Sequence, residues 1–132
     1  MVIDQLKGML GDNLRGKKVV ELGSGTGLAG LCAAAVGAHV LMSDIATVTD
    51  FSLRPNVDRN VDLATKGQCE GSWAAACRVG EGSAACIAID WTKDLDQQAK
   101  EAGIDPCDCD VVLAAECVWL VELVSPFVKT VS

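Results

Sequence analysis

The chain has 132 residues, 18 acidic against 11 basic, and a formal net charge of −7. Half of it is hydrophobic, which excludes a disordered chain, and its length is that of one domain. The acidity argues against a nucleic-acid-binding surface, which needs a basic face, and no apolar run approaches the roughly 18 residues of a membrane span. Seven cysteines, with no signal peptide and no glycosylation sequon, point to reduced thiols in the cytoplasm or the nucleus.

Val2, Leu6, Met9 and Leu10 fall near one face of a short helix over 2–10, and residues 11–16 read as a turn. Residues 17–22 are a Val-rich strand that runs into Gly23-Ser-Gly-Thr-Gly27. An Ala-rich helix follows over 28–36, closed by Gly37. Residues 38–43 form the second strand, ending at Asp44. This strand–helix–strand unit implies parallel pairing. Pro55 suits the first turn of a helix over 54–65. Residues 66–83, rich in Gly, Ala, Ser and Cys, read as a long loop with one helical turn around Trp73 to Cys77. The third strand covers 84–89 and ends at Asp90-Trp91. A short helix over 94–102, a fourth strand over 110–115 ending at Glu116, and a helix over 120–131 complete the chain. With few aromatics and 13 glycines, this is the palette of a buried parallel sheet under closely packed helices.

Acidic or aromatic residues thus stand at the carboxyl end of every strand, where open α/β sheets bind ligands. In Glu21-Leu-Gly-Ser-Gly-Thr-Gly27 the glycines permit a tight turn and close approach of a ligand to the backbone. The next helix offers unpaired N–H groups at its start. Gly25-x-Gly27-x-x-Gly30 also satisfies a dinucleotide pattern, so a nicotinamide cofactor is one alternative. Gly30, however, lies well inside the helix, where close packing on the sheet explains it. Glu21 would repel a pyrophosphate and favour an ammonium or sulfonium. Asp44 can accept hydrogen bonds from ribose hydroxyls, and Asp90-Trp91 offers an acceptor and a flat face for adenine.

Glu21-Leu-Gly-Ser-Gly-Thr-Gly-Leu28 resembles motif I of class I S-adenosylmethionine-dependent methyltransferases. With Val40-Leu-Met-Ser-Asp-Ile45, Arg54-Pro-Asn-Val-Asp-Arg-Asn60, Ile89-Asp-Trp91 and Val112-Leu-Ala-Ala-Glu-Cys-Val-Trp119, it resembles the ordered blocks of the lysine methyltransferase-like family. The resemblance implies an α/β, Rossmann-like sheet of strand order 3-2-1-4-5-7-6. Strands 3-2-1-4 are present here and 5-7-6 are missing, so the chain reads as a single, partial cofactor-binding domain over 1–132. It further implies S-adenosyl-L-methionine as cofactor and a protein substrate presenting a lysine. By resemblance, Glu21, Gly23, Ser24 and Gly25 hold the methionine part, Asp44 the ribose, and Trp91 and Ala115 the adenine side; Asp90 is a cofactor-side acceptor from its place at the strand end alone, where a solvated turn residue is the alternative. Glu116 orients the target nitrogen and Trp119 lines its approach, with Trp standing where relatives carry Tyr or Phe. Asn56 and Asn60 match a helix motif of mainly structural role.

No metal site is expected, since Cys107-x-Cys109 has no zinc-ligand spacing. His39 and the Lys17-Lys18 pair read as structural or solvated. Cys32 and Cys117 read as small core residues, and Trp73 as packing on the domain surface. The fourth strand would be an exposed apolar edge. The alternative to an active N-methyltransferase is therefore a non-catalytic remnant or interaction module. Oligomeric state is not legible.

Overall fold

The computed structural model describes residues 13–69, 73–105 and 108–132. The helix expected over 2–10 and Cys107 of the cysteine pair lie outside them. Strand β1 (Lys18–Leu22) leads through the glycine turn into helix α1 (Leu28–Ala35) and then strand β2 (His39–Asp44). Helix α2 (Arg54–Asn60), hairpin strands β3 (Cys77–Val79) and β4 (Gly82–Ala88), helix α3 (Leu95–Ala102), strand β5 (Val111–Ala114) and helix α4 (Val124–Val131) follow. The five strands form one sheet in the order β3-β4-β2-β1-β5. All pairings are parallel except that of β3 with β4. The four strands read from sequence therefore lie side by side in the expected order.

The sheet is apolar on both faces. Val19, Val40 and Met42 pack on one side against Ala33 and Ala34 of α1 and against Leu53 and Val57. Leu41 and Ala85 pack on the other with Ala76, Trp73 and Ile104. Trp73 is partly buried and packs against this second cluster from the surface, as expected. Small residues let α1 sit close: a Cβ on Gly30 would lie 2.5 Å from Glu21 Oε2 and 2.6 Å from Met42 Sδ. Helix α3 is fixed at both ends. The Asp94 side chain accepts from the Gln97 N–H, and Gly103 closes the helix in the left-handed conformation.

Two expectations are corrected. The helix predicted over 54–65 ends at Asn60, and the chain is already helical from Ala46–Val48 through a π-turn at Thr49–Leu53. The Arg54 N–H reaches back to the Thr49 carbonyl, so the widened turn lets the helix run into Pro55 instead of starting there. The region predicted as a loop over 66–83 keeps a turn near Trp73, where the Ala76 N–H donates to the Trp73 carbonyl at 2.8 Å, and then forms β3, which was not expected. Cys77 pairs with Ala84 and Val79 with Gly82, and this makes β4 begin at Gly82 rather than at residue 84. Burial of Cys77 and Val79 against the sheet supplies what local β-propensity does not.

Among the described residues β5 pairs only with β1, leaving its outer edge open. No helix among them is long and apolar enough to cross a membrane.

Candidate active site

Strands β1, β2, β4 and β5 run the same way, so Glu21 and Asp44, among the last residues of their strands, and Asp90 and Glu116, two residues beyond theirs, all stand at one edge of the sheet. The glycine turn is held there mainly by β2. The Ser24 N–H donates to the Ser43 carbonyl at 2.9 Å, and the Ser43 N–H donates back to Ser24 Oγ at 3.1 Å. The Gly25 N–H donates to Asp44 Oδ2 at 2.8 Å, while Asp44 Oδ1 accepts from the Ile45 N–H at 2.8 Å. Each carboxylate oxygen keeps a lone pair for a further donor. Gly23 and Gly25 have φ of 68° and 56°, conformations that cost a side-chain-bearing residue about 1 kcal/mol or more. Their surroundings differ. A Cβ on Gly25 would meet nothing within 4 Å, whereas one on Gly23 would collide with the Cβ of Cys117.

Glu21 is 3% exposed, and its Oε2 has no hydrogen-bond partner. Burial pushes its carboxyl pKa up. The Ser24 hydroxyl and the Gly30 N–H pull it back, and the charge of Asp44 adds to the rise. A cleft of about 800 Å³ is lined by Glu21, Gly23 to Thr26, Ala115 and Glu116, with α1 supplying one apolar wall. Glu116 has φ 52°, the one non-glycine residue among those described with a positive φ. Backbone strain at a strand end facing a cleft is a common mark of function.

The structure therefore brings Glu21, Gly23, Ser24, Gly25, Ala115 and Glu116 to one cleft, with Asp44 joined to it through Gly25. Trp91 stands at its edge: its Cη2 would be 3.4 Å from a Cβ on Gly23, and its ring packs edge-on against Phe127 with centroids 5.3 Å apart. Asp90 and Trp119 do not line the cleft. Asp90 Oδ1 accepts from the Thr92 N–H and hydroxyl, and these bonds hold its pKa below the usual value. Trp119 is 76% exposed. Cys117 is half-buried over the glycine turn instead of in the core, and Cys32 lines the cleft. His39 hydrogen-bonds Ser83 Oγ at 2.9 Å, in keeping with a structural role. Lys18 is not simply solvated: it pairs with Asp108 and lies 5.9 Å from the Trp73 ring centroid. Sequence reasoning missed the hydrogen bond from Asn56 to the turn; the Asn-x-x-x-Asn spacing was its only signal.

The lysine methyltransferase family model matches residues 2–132. The chain belongs to that family. It is 30% identical over 118 residues to Protein N-lysine methyltransferase METTL21A of Danio rerio, covering 89% of this chain and 44% of that protein. It is 32% identical over 108 residues to EEF1A lysine methyltransferase 3 of Mus musculus, covering 82% and 36%. With Protein-lysine N-methyltransferase EFM6 of Saccharomyces cerevisiae it shares 33% over 118 residues, covering 86% and 42%. The chain thus spans less than half the length of these relatives. Membership leaves no support for the nicotinamide alternative suggested by Gly25-x-Gly27-x-x-Gly30, and Gly30 packs on Met42 inside α1.

The buried, unpartnered Glu21 carboxylate oxygen gives a test of cofactor fit. A protonated amine or a sulfonium near it would relieve the cost of an unpaired buried acceptor, about 1–3 kcal/mol. The open space at Gly25 and the spare lone pairs of Asp44 suit the rest of such a ligand. The residues present fit S-adenosylmethionine.

Glu21 also ties folding to pH. Its folded pKa lies above its unfolded value near 4.3, so between the two the folded state binds more protons. Stability contributed by protonated Glu21 is present at low pH and lost as pH rises through the folded pKa. Glu21→Gln is expected to remove this slope, to raise the melting temperature of the ligand-free chain at neutral pH by a few degrees, and to weaken cofactor binding. Melting curves across pH check it; an unchanged slope in the variant would contradict the assignment.

Proposed function

We propose that residues 1–132 act as one cofactor-binding unit of an S-adenosylmethionine-dependent protein-lysine N-methyltransferase. The observation that carries the reading is Glu21, a buried carboxylate with an unpartnered oxygen, in the cleft formed by the glycine turn and Glu116. Glu21, Gly23, Ser24 and Gly25 hold the amino-acid end of the cofactor and Asp44 the ribose. Trp91 offers an apolar face and Ala115 backbone beside the adenine. Asp90 shapes its own turn and acts on the site through Trp91. When bound, S-adenosylmethionine supplies a methyl group already activated by its sulfonium.

The chemistry left to the protein is mainly positioning. Glu116 accepts a hydrogen bond from the target amine and orients its lone pair. Trp119, exposed three residues past Glu116, offers its π-face to the arriving substrate rather than to the cleft itself. The lysine amine, its proton given up to solvent, would form a bond to the methyl carbon as the methyl–sulfur bond breaks, with the neutral thioether S-adenosylhomocysteine as the leaving group. The partner is a protein exposing a lysine, which suits an acidic surface. The names of the relatives support this substrate class.

Transfer of labelled methyl groups from S-adenosylmethionine to lysines of a protein lysate tests the reading. Glu116→Ala is expected to lower that transfer at least about tenfold, with the fold retained. A second reading, an interaction module, is favoured by exposed Trp119, Leu120 and Val121. A wild-type chain that binds cofactor but transfers no methyl would support it over catalysis.

A further inference from the structure

One polar bond joins helix α2 to the glycine turn. Asn56 Nδ2 donates to the Thr26 carbonyl at 3.2 Å, across thirty positions of chain. The orientation of the amide is fixed by its other partner, since Arg59 Nη1 donates to Asn56 Oδ1 at 3.0 Å. Arg has no acceptor, so flipping the amide would set donor against donor and carbonyl against carbonyl. The Asn60 side chain donates to the Asn56 carbonyl at 2.7 Å, which ties the end of the same helix.

Asn56 reaches the turn from a rigid base. Leu53 and Val57, on either side of it, are buried in the core. Leu53 also closes on the turn directly: its Cδ1 would be 2.8 Å from a Cβ on Gly27. The Thr26 carbonyl lies just before the helix. The Gly27 carbonyl takes the Leu31 N–H, and the Gly27 N–H goes to Ser24. The turn is therefore held on one side by Ser43 and Asp44 of β2 and on the other by Asn56.

We infer that Asn56 is a positioning residue for the cofactor, setting the Gly25 to Gly27 backbone that cradles its amino-acid end. Its amide is taken up by Thr26 and Arg59 rather than offered to the cofactor. It works by keeping the cradle formed before the ligand arrives, which lowers the ordering cost of binding. The inference rests on the functional reading above for the identity of the ligand, but not for the mechanical role.

Amide hydrogen exchange of the ligand-free chain and calorimetry with S-adenosylhomocysteine separate the two. Asn56→Ala is expected to speed exchange at Gly25 and Gly27 and to weaken S-adenosylhomocysteine, each about fivefold, with little change in melting temperature. Asn56→Asp keeps the size but offers Thr26 no donor, and should do the same. Asn60→Ala, which loosens the helix end alone, should do neither. Unchanged exchange in both Asn56 variants overturns the inference, as does an equal effect of Asn60→Ala. Unchanged affinity in variants of a chain that binds overturns it too. A wild-type chain that binds no S-adenosylhomocysteine defeats the functional reading, and the exchange rates then decide the role of Asn56 alone.

Discussion

Asp44→Ala is expected to weaken S-adenosylhomocysteine binding by at least about a hundredfold, while the melting temperature falls by only a few degrees. Two losses combine. The ribose loses a carboxylate acceptor, and hydrogen bonds to a charged group contribute about 1.5–3 kcal/mol each. The Gly25 N–H also loses its partner at 2.8 Å, so the turn is released from β2 at its most open point. The core is untouched, because Asp44 stands at the end of β2, beyond buried Met42 and Ser43. Asp44→Asn separates the contributions. Its single carbonyl oxygen can serve the Gly25 or the Ile45 N–H, so binding should fall about tenfold rather than a hundredfold. Titration calorimetry beside melting curves checks both. Equal affinity of wild type and Asp44→Ala would remove Asp44 from the site.

The largest effect on stability is expected far from the chemistry. Gly82 opens β4, and a Cβ there would fall inside the van der Waals shell of the Ala38 carbonyl oxygen and 2.5 Å from that of Ala34. Both are backbone atoms and neither can swing away. The Ala38 carbonyl also accepts the Ser83 N–H at 3.0 Å, so yielding to the new methyl breaks a bond that begins the β2–β4 pairing. Gly82→Ala is expected to cost about 3 kcal/mol or more, a large share of the stability of a small domain. Denaturant melts should show a sharply lower midpoint. A loss below about 1 kcal/mol would mean that the hairpin shifts freely against α1.

Gly82 marks the limit of what local sequence signals carry. The four parallel strands were legible because Val-rich and Ala-rich runs end in acidic residues, and the crossover between the first two fixed their direction. Strand β3 was not. Cys77-Arg-Val79 is three residues long and follows a stretch rich in Gly, Ala and Ser, and only its pairing with β4 makes it a strand. The helical run from Ala46 was hidden by Pro55, which reads as a helix start. A π-turn absorbs it instead, and that accommodation has no sequence mark.

The site divides in the same way. Glu21, the glycines and Asp44 were legible because a strand-to-helix turn with flanking carboxylates permits few alternatives. The structure adds how they are held, through Ser24–Ser43, Gly25–Asp44 and Thr26–Asn56. The last of these joins positions thirty residues apart, which no local pattern encodes. Asp90 was legible as a strand-end acid. Its lowered pKa comes from Thr92 two residues on, so its carboxylate serves the turn rather than the cleft. Trp119 stands exposed at 76%, and its proposed contribution depends on a substrate reaching it.

Glu21, the glycine turn and Asp44 are the proposed binding site for S-adenosylmethionine within these 132 residues. Titration calorimetry of the folded chain with S-adenosylhomocysteine tests it most directly. Saturable heat at one site per chain is expected, weakened in Glu21→Gln and weakened at least about a hundredfold in Asp44→Ala. A flat titration from a wild-type sample whose circular dichroism and cooperative melting show it folded would contradict it.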